Sequence, residues 1–129
     1  MSTTWQPGTT PQQAHEAAIR APLSEIAQLL QQVLSRRLTA YLAGVREGKT
    51  VARWASGEVT AIRDQGTEER LRVAYETALL LLQDDSPRVV RAWFIGLNPQ
   101  LGDEAPAEAL REGRLKDVLA AARAFTAGG

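Results

Sequence analysis

With 129 residues, 44% of them apolar and none a cysteine, the chain can build one compact domain or two small helical subdomains sharing a core. Wholesale disorder, a disulfide framework, a thiolate nucleophile and a cysteine-based metal site are excluded. Its 15 basic and 15 acidic residues cancel, which excludes a uniformly positive surface and leaves any nucleic-acid contact to local charge.

Ala and Leu dominate the apolar fraction and β-branched residues are sparse, so the composition predicts an all-α chain. Residues 1–20 carry Ser, Thr, Gln, Pro7 and Pro11 without a sustained period and read as a flexible N-terminal arm, with a short helix from Pro11 to Ile19 and Trp5 packed back on the body or against a partner. No basic region precedes an apolar run there, as a secretory signal would require, and the longest apolar run, Ala78 to Leu82, is far too short to span a bilayer. A cytoplasmic location without a membrane contact is expected.

From Pro22 onward, Leu23, Ile26, Leu29, Leu30, Val33 and Leu34 fall on one helical face. A second helix is predicted over Arg37–Ala43, a break at Gly44 and Gly48, a third helix over Lys49–Ala55, and a short one over Val59–Asp64. Thr67, as a capping hydroxyl, opens the longest element. Its stripe is Leu71, Ala74, Tyr75, Ala78, Leu79 and Leu82, and Leu80 and Leu81 widen it enough to suit either a central position or an interface. Ser86 and Pro87 start the next helix, as cap and first residue, and it stops by Gly96. Leu97 to Pro106 is a turn-rich loop. Pro106–Glu112 and Arg114–Ala124 are the last helices.

The stretch from Arg36 to Glu58 has the layout of a helix-turn-helix. Leu38, Tyr41 and Leu42 are assigned to the inner face of its first helix, and Val51 and Trp54 to that of its second. Lys49, Thr50, Arg53 and Ser56 are left facing outward, with Arg46 near the helix start. Arg pairs with guanine bidentately, while Lys, hydroxyls and a helix N-terminus hold phosphates, so Arg46, Lys49, Thr50, Arg53 and Ser56 are the candidate DNA-binding residues. Between Ser35 and Arg63 six cations oppose only Glu47 and Glu58. The alternative is two helices of an ordinary bundle with a solvated basic face. Gly44, Val45, Arg53, Trp54 and Gly57 resemble the "GV" turn and the "RW-x-x-G" helix end of Xre-type domains, with a turn about one residue longer than usual.

Between Pro87 and Phe125, Trp93 and Phe94 end a helix; Asn98, Leu101, Gly102, Pro106, Leu110 and Gly113 follow at ordered spacings; Val118, Leu119 and Phe125 mark a final amphipathic helix. This segment resembles the C-terminal toxin-binding domain of the MbcA/ParS/Xre antitoxin family, with Pro106 one place later than usual. Together with the helix-turn-helix, the resemblance covers roughly residues 23 to 126. It implies an N-terminal Xre-like helix-turn-helix bundle over residues 21–66 and a small helical toxin-binding domain over residues 67–129. It also implies a type II antitoxin that occludes a RES-domain, NAD-degrading toxin or an ADP-ribosylating one and represses its own operon. The implied partners are that toxin and operator DNA, in a homodimer or larger toxin–antitoxin hetero-oligomer. Toxin-binding candidates are Trp93, Phe94, Asn98, Leu101, Arg111, Arg114, Arg123 and Phe125, with Lys116 beside them.

No catalytic residue, metal site or cofactor is expected. The single histidine, His15, lies in the predicted arm, Ser35 and Ser56 have no base nearby in sequence, and no phosphate-cradling glycine pattern occurs. A stand-alone Xre-like transcriptional regulator, or a helical adaptor with a degenerate helix-turn-helix, are the alternatives.

Overall fold

The computed structural model describes residues 9–128. Among them it holds eight α-helices, one 3-10 turn and no strand, as the composition predicts. The order is α1 (Pro11–Arg20), α2 (Leu23–Val33), α3 (Arg36–Ala43), α4 (Gly48–Ala55), α5 (Gln65–Leu81), α6 (Pro87–Ile95), the 3-10 turn Pro99–Leu101, α7 (Pro106–Arg111) and α8 (Leu115–Thr126). Among the described residues, no helix is long and apolar enough to cross a membrane.

The short helix expected from Pro11 to Ile19 is present as α1, but residues 11–20 pack on the body instead of forming a flexible arm. Thr10 accepts the Gln13 N–H at 3.1 Å, the Gln13 side chain accepts the Thr10 N–H at 2.8 Å, and Pro11 takes the first helical position. This reciprocal cap satisfies donors that would otherwise be orphaned. Ala14 and Ala18 are small enough for α1 to lie close on α5, and both are buried. The rest of the predicted arm, with Trp5, lies outside the described residues.

The segment 59–64, expected as a short helix, is non-helical. Asp64 caps α5 instead: its carboxylate accepts the Gly66 N–H at 3.3 Å and the Thr67 hydroxyl at 2.8 Å. The helix therefore starts two residues before Thr67, and Gly66 sits in its first turn. The Thr67 hydroxyl, first among the causes, holds the Asp64 carboxyl below its ordinary range.

Helix α5 is the axis of the molecule and packs on α1, α2, α3 and α8. Leu71, Ala74, Tyr75 and Ala78 are fully buried on it. Leu79 to Leu82 are also core, which settles the choice left open for that run. One continuous apolar cluster runs from Ala14 to Ala122. The expected boundary between residues 66 and 67 thus falls inside α5, and the two halves share one interior.

Arginines fasten the helix ends. Arg70 donates to the Ala43 carbonyl at the end of α3, from Nε at 3.1 Å and Nη2 at 3.0 Å. Arg72 donates to Ala18 and Ala21 at the end of α1, both at 2.9 Å, and Arg91 to Leu34 at the end of α2, also at 2.9 Å. The last carbonyls of a helix lack intrahelical donors and carry the negative end of its dipole, so a guanidinium there gains both a bond and a favourable field.

Candidate functional site

Helices α3 and α4 are joined by four residues, Gly44 to Glu47. Gly44 takes φ +84°, a conformation that calls for glycine, and a Cβ there would lie 2.8 Å from Arg70 Nη2 and push that guanidinium aside. Gly48 lets α4 start against Arg36, whose Cβ would sit 3.1 Å from an added Cβ. Val51, Trp54 and Ala55 bury the inner face of α4, and Gln28 of α2 donates to the Ala55 carbonyl at 2.8 Å. Tyr41, expected on the inner face of α3, is instead exposed, because Thr39, Ala40, Leu42 and Ala43 already fill that face.

Arg46, Lys49, Arg53 and Ser56 are exposed and Thr50 is half-buried, so the predicted DNA-binding residues share one accessible region of the turn and α4. Two of them already have partners: Arg53 Nε lies 3.2 Å from Glu58 and Lys49 Nζ 3.8 Å from Glu47. The Ser56 hydroxyl donates to the Arg53 carbonyl at 3.0 Å and accepts the Glu58 N–H at 3.2 Å. The two acids of this stretch therefore neutralise part of the positive field that the sequence suggests.

The second region is built from α6, the loop after it, α7 and α8. Ser86 caps α6 through the Val89 N–H with Pro87 in first position, as predicted. Asn98 organises the loop: its side chain accepts the Gln100 N–H at 2.9 Å, its N–H pairs with the Glu104 carbonyl at 3.2 Å, and its carbonyl accepts from Leu101 and Asp103, each at 2.9 Å. Gly102 follows at φ +68°. The loop is thus held by its own backbone and presents a fixed surface.

The predicted toxin-binding residues divide. Phe94 and Leu101 are corrected to core: they are 0% and 1% exposed, because Phe94 is on the inner face of α6 and Leu101 plugs the loop from beneath. Trp93 is half-buried, edge-on to Phe94 at 5.4 Å between centroids and 6.3 Å from the ring of Phe125. Trp93, Asn98 and Phe125 line a groove of about 330 Å³ with Leu97, Pro99 and Ala121. Leu97, which sequence reasoning missed, is 77% exposed and is the most exposed large apolar side chain among the described residues. The available signal was an apolar residue between a helix-ending glycine and a turn-forming Asn-Pro pair.

The basic candidates of this region are largely engaged. Arg114 bonds Glu104 at 2.9 Å, Asp117 at 3.1 Å and the Leu101 carbonyl at 3.3 Å, so it clamps the loop to α8. These bonds, that to Asp117 foremost, raise its already high pKa. Arg123 Nη2 lies 3.9 Å from the buried carboxylate of Glu76, and His15 Nδ1 is 3.1 Å from the same group. Arg111 reaches α3, where it donates to the Tyr41 carbonyl at 2.6 Å and covers the Tyr41 ring at 4.7 Å. Lys116 is exposed on α8.

Glu104, Glu108 and Glu112 bring carboxylate oxygens within 4.8 Å of one another. Their closeness holds the Glu112 carboxyl above its ordinary value of 4.5, chiefly through a hydrogen bond with Glu104, then through desolvation and the charges of Glu104 and Glu108.

Compared with known proteins, the chain matches no family model, no curated protein and no solved structure.

Proposed function

We propose that the chain is a type II antitoxin of the MbcA/ParS/Xre kind, which occludes a toxin with the region around α6, the following loop and α8 and represses its own operon through α4. The observation that carries this reading is the groove of about 330 Å³ between Trp93, Leu97 and Phe125. It falls within the segment whose order of residues resembles the family's toxin-binding domain. Aromatic side chains beside a rigid apolar ledge are efficient anchors for a protein partner. The preformed loop would add to affinity by lowering the ordering cost of association. The proposed toxin is a RES-domain or ADP-ribosylating enzyme, and occlusion needs shape complementarity rather than chemistry from this chain. The reading places the protein in the cytoplasm, beside DNA.

Co-expression with the product of the adjacent reading frame tests the toxin half. Leu97→Asp alters a side chain that is 77% exposed and is expected to abolish co-purification and rescue from toxicity while thermal melting changes little. Wild-type protein that neither captures nor suppresses that neighbour would remove the antitoxin reading. For the DNA half, Lys49→Ala and Arg53→Ala are expected to weaken a gel shift with the upstream operator, by roughly 1–3 kcal/mol for a residue that reads a base. A helical adaptor is the second reading, favoured by the pairing of Lys49 with Glu47 and of Arg53 with Glu58. Capture of the neighbour with no operator shift at low salt would select it.

A further inference from the structure

A cleft of about 330 Å³ lies between the α3–α4 turn and α7. Arg37 and Tyr41 of α3, Val45 and Arg46 of the turn, Gly48 of α4 and Arg111 of α7 line it. Three of its lining residues are arginines and none is acidic. Arg37 and Arg46 are exposed and make no ion pair among the described residues. Arg111 is held by the Tyr41 carbonyl at 2.6 Å and by its stack on the Tyr41 ring, which fixes the plane of its guanidinium. One bond to a carbonyl uses one of five guanidinium donors and leaves the rest for a further acceptor. At the start of α4, Glu47 forms no side-chain cap, so the first N–H groups lack a side-chain acceptor. Three like charges around one concavity repel one another, and a compact anion with several acceptor oxygens removes that repulsion.

We propose that this cleft binds a phosphate group, and that on duplex DNA the group is a backbone phosphate beside the groove that α4 enters. The second part rests on the DNA-binding reading above; the first stands on the cleft alone. A contact from α7 then belongs to the nucleic-acid footprint, although Arg111 is about 65 residues beyond Arg46 in the chain and the sequence assigns it to the other partner.

Inorganic phosphate is titrated into isotope-labelled full chain and followed by NMR, with chloride at equal ionic strength as the control. Saturable shifts at the amides of Val45, Gly48 and Lys49 that chloride does not reproduce, lost in Arg46→Gln and in Arg111→Gln, are expected. Arg46 has no hydrogen-bond or ion-pair partner among the described residues, so its variant tests the site with little risk to folding. With duplex, each variant is expected to reduce the slope of log K against log salt by a measurable amount of up to about 0.9, the value for one phosphate. The double variant is expected to lose no more than about 0.9, because both arginines neutralise the same group. Phosphate shifts that match chloride overturn the cleft. Duplex binding with unchanged slopes overturns the backbone contact and leaves α4 as the DNA element. Specific phosphate shifts without any duplex binding support the cleft and remove the DNA-binding reading instead.

Discussion

At Gly44 the backbone turns with φ +84° beneath the guanidinium that caps α3. Gly44→Ala therefore meets two penalties, the left-handed conformation at about 1–2 kcal/mol and a contact of 2.8 Å with Arg70. In denaturant titrations the substitution is expected to cost less in an Arg70→Ala background, where only the conformational part remains. Glu112 supplies a residue-scale test of pH. Its folded-state pKa is raised, so the stability linked to it is present below the ordinary value of 4.5 and is lost as pH rises through the folded value. Glu112→Gln is expected to raise the melting temperature at pH 7, with the gain shrinking as pH falls below the raised value of Glu112. A melting temperature unchanged on both sides of that value would show that the crowding of these carboxylates has no energetic consequence.

Among the elements, arginine-to-carbonyl fastenings are the recurring joint: Arg70 on α3, Arg72 on α1, Arg91 on α2 and Arg114 on the 3-10 turn. Arg72→Met keeps much of the apolar stem but removes bonds to Ala18 and Ala21, and is expected to destabilise the fold by about 1.5–3 kcal/mol. A loss of a few tenths in urea unfolding would show that water satisfies those carbonyls equally well. These joints also explain what the sequence hid. Sequence signals located α1 to α8 to within a few residues, and Ser86 announced its cap. An arginine's destination is set by tertiary distance, so Arg111, Arg114 and Arg123 read as partner residues although each already has an internal contact. For the same reason Phe94 and Leu101 looked like anchors: apolar identity marks burial or contact equally, and only packing chooses between them. The start of α5 was misplaced because Asp64 and Thr67 are both good caps, and Thr67 is spent on a hydrogen bond to Asp64.

Across the whole molecule, the shared interior has a consequence for cooperativity. Removing residues 67–129 takes away α5, against which α1, α2 and α3 pack. A fragment of residues 1–66 is expected to show no cooperative unfolding transition by circular dichroism, whereas the full chain melts in one step. Two separable transitions in the full chain would instead make the helix-turn-helix region an independent unit. The fold class was legible from composition because helices dominate any chain this rich in Ala and Leu. The site was legible only as a region: Asn98, Trp93 and Phe125 do meet in the groove, but Leu97 and the arginine cleft arise from placement across the fold.

Glu76 sits near the middle of α5, 3% exposed, with His15 from α1 on one side and Arg123 from α8 on the other. Helices α1 and α8 thus both reach a single carboxylate on α5. The exposed bend at Gly57 lies away from every arginine joint described above. A chain opened there by a single backbone cut keeps each of those joints intact.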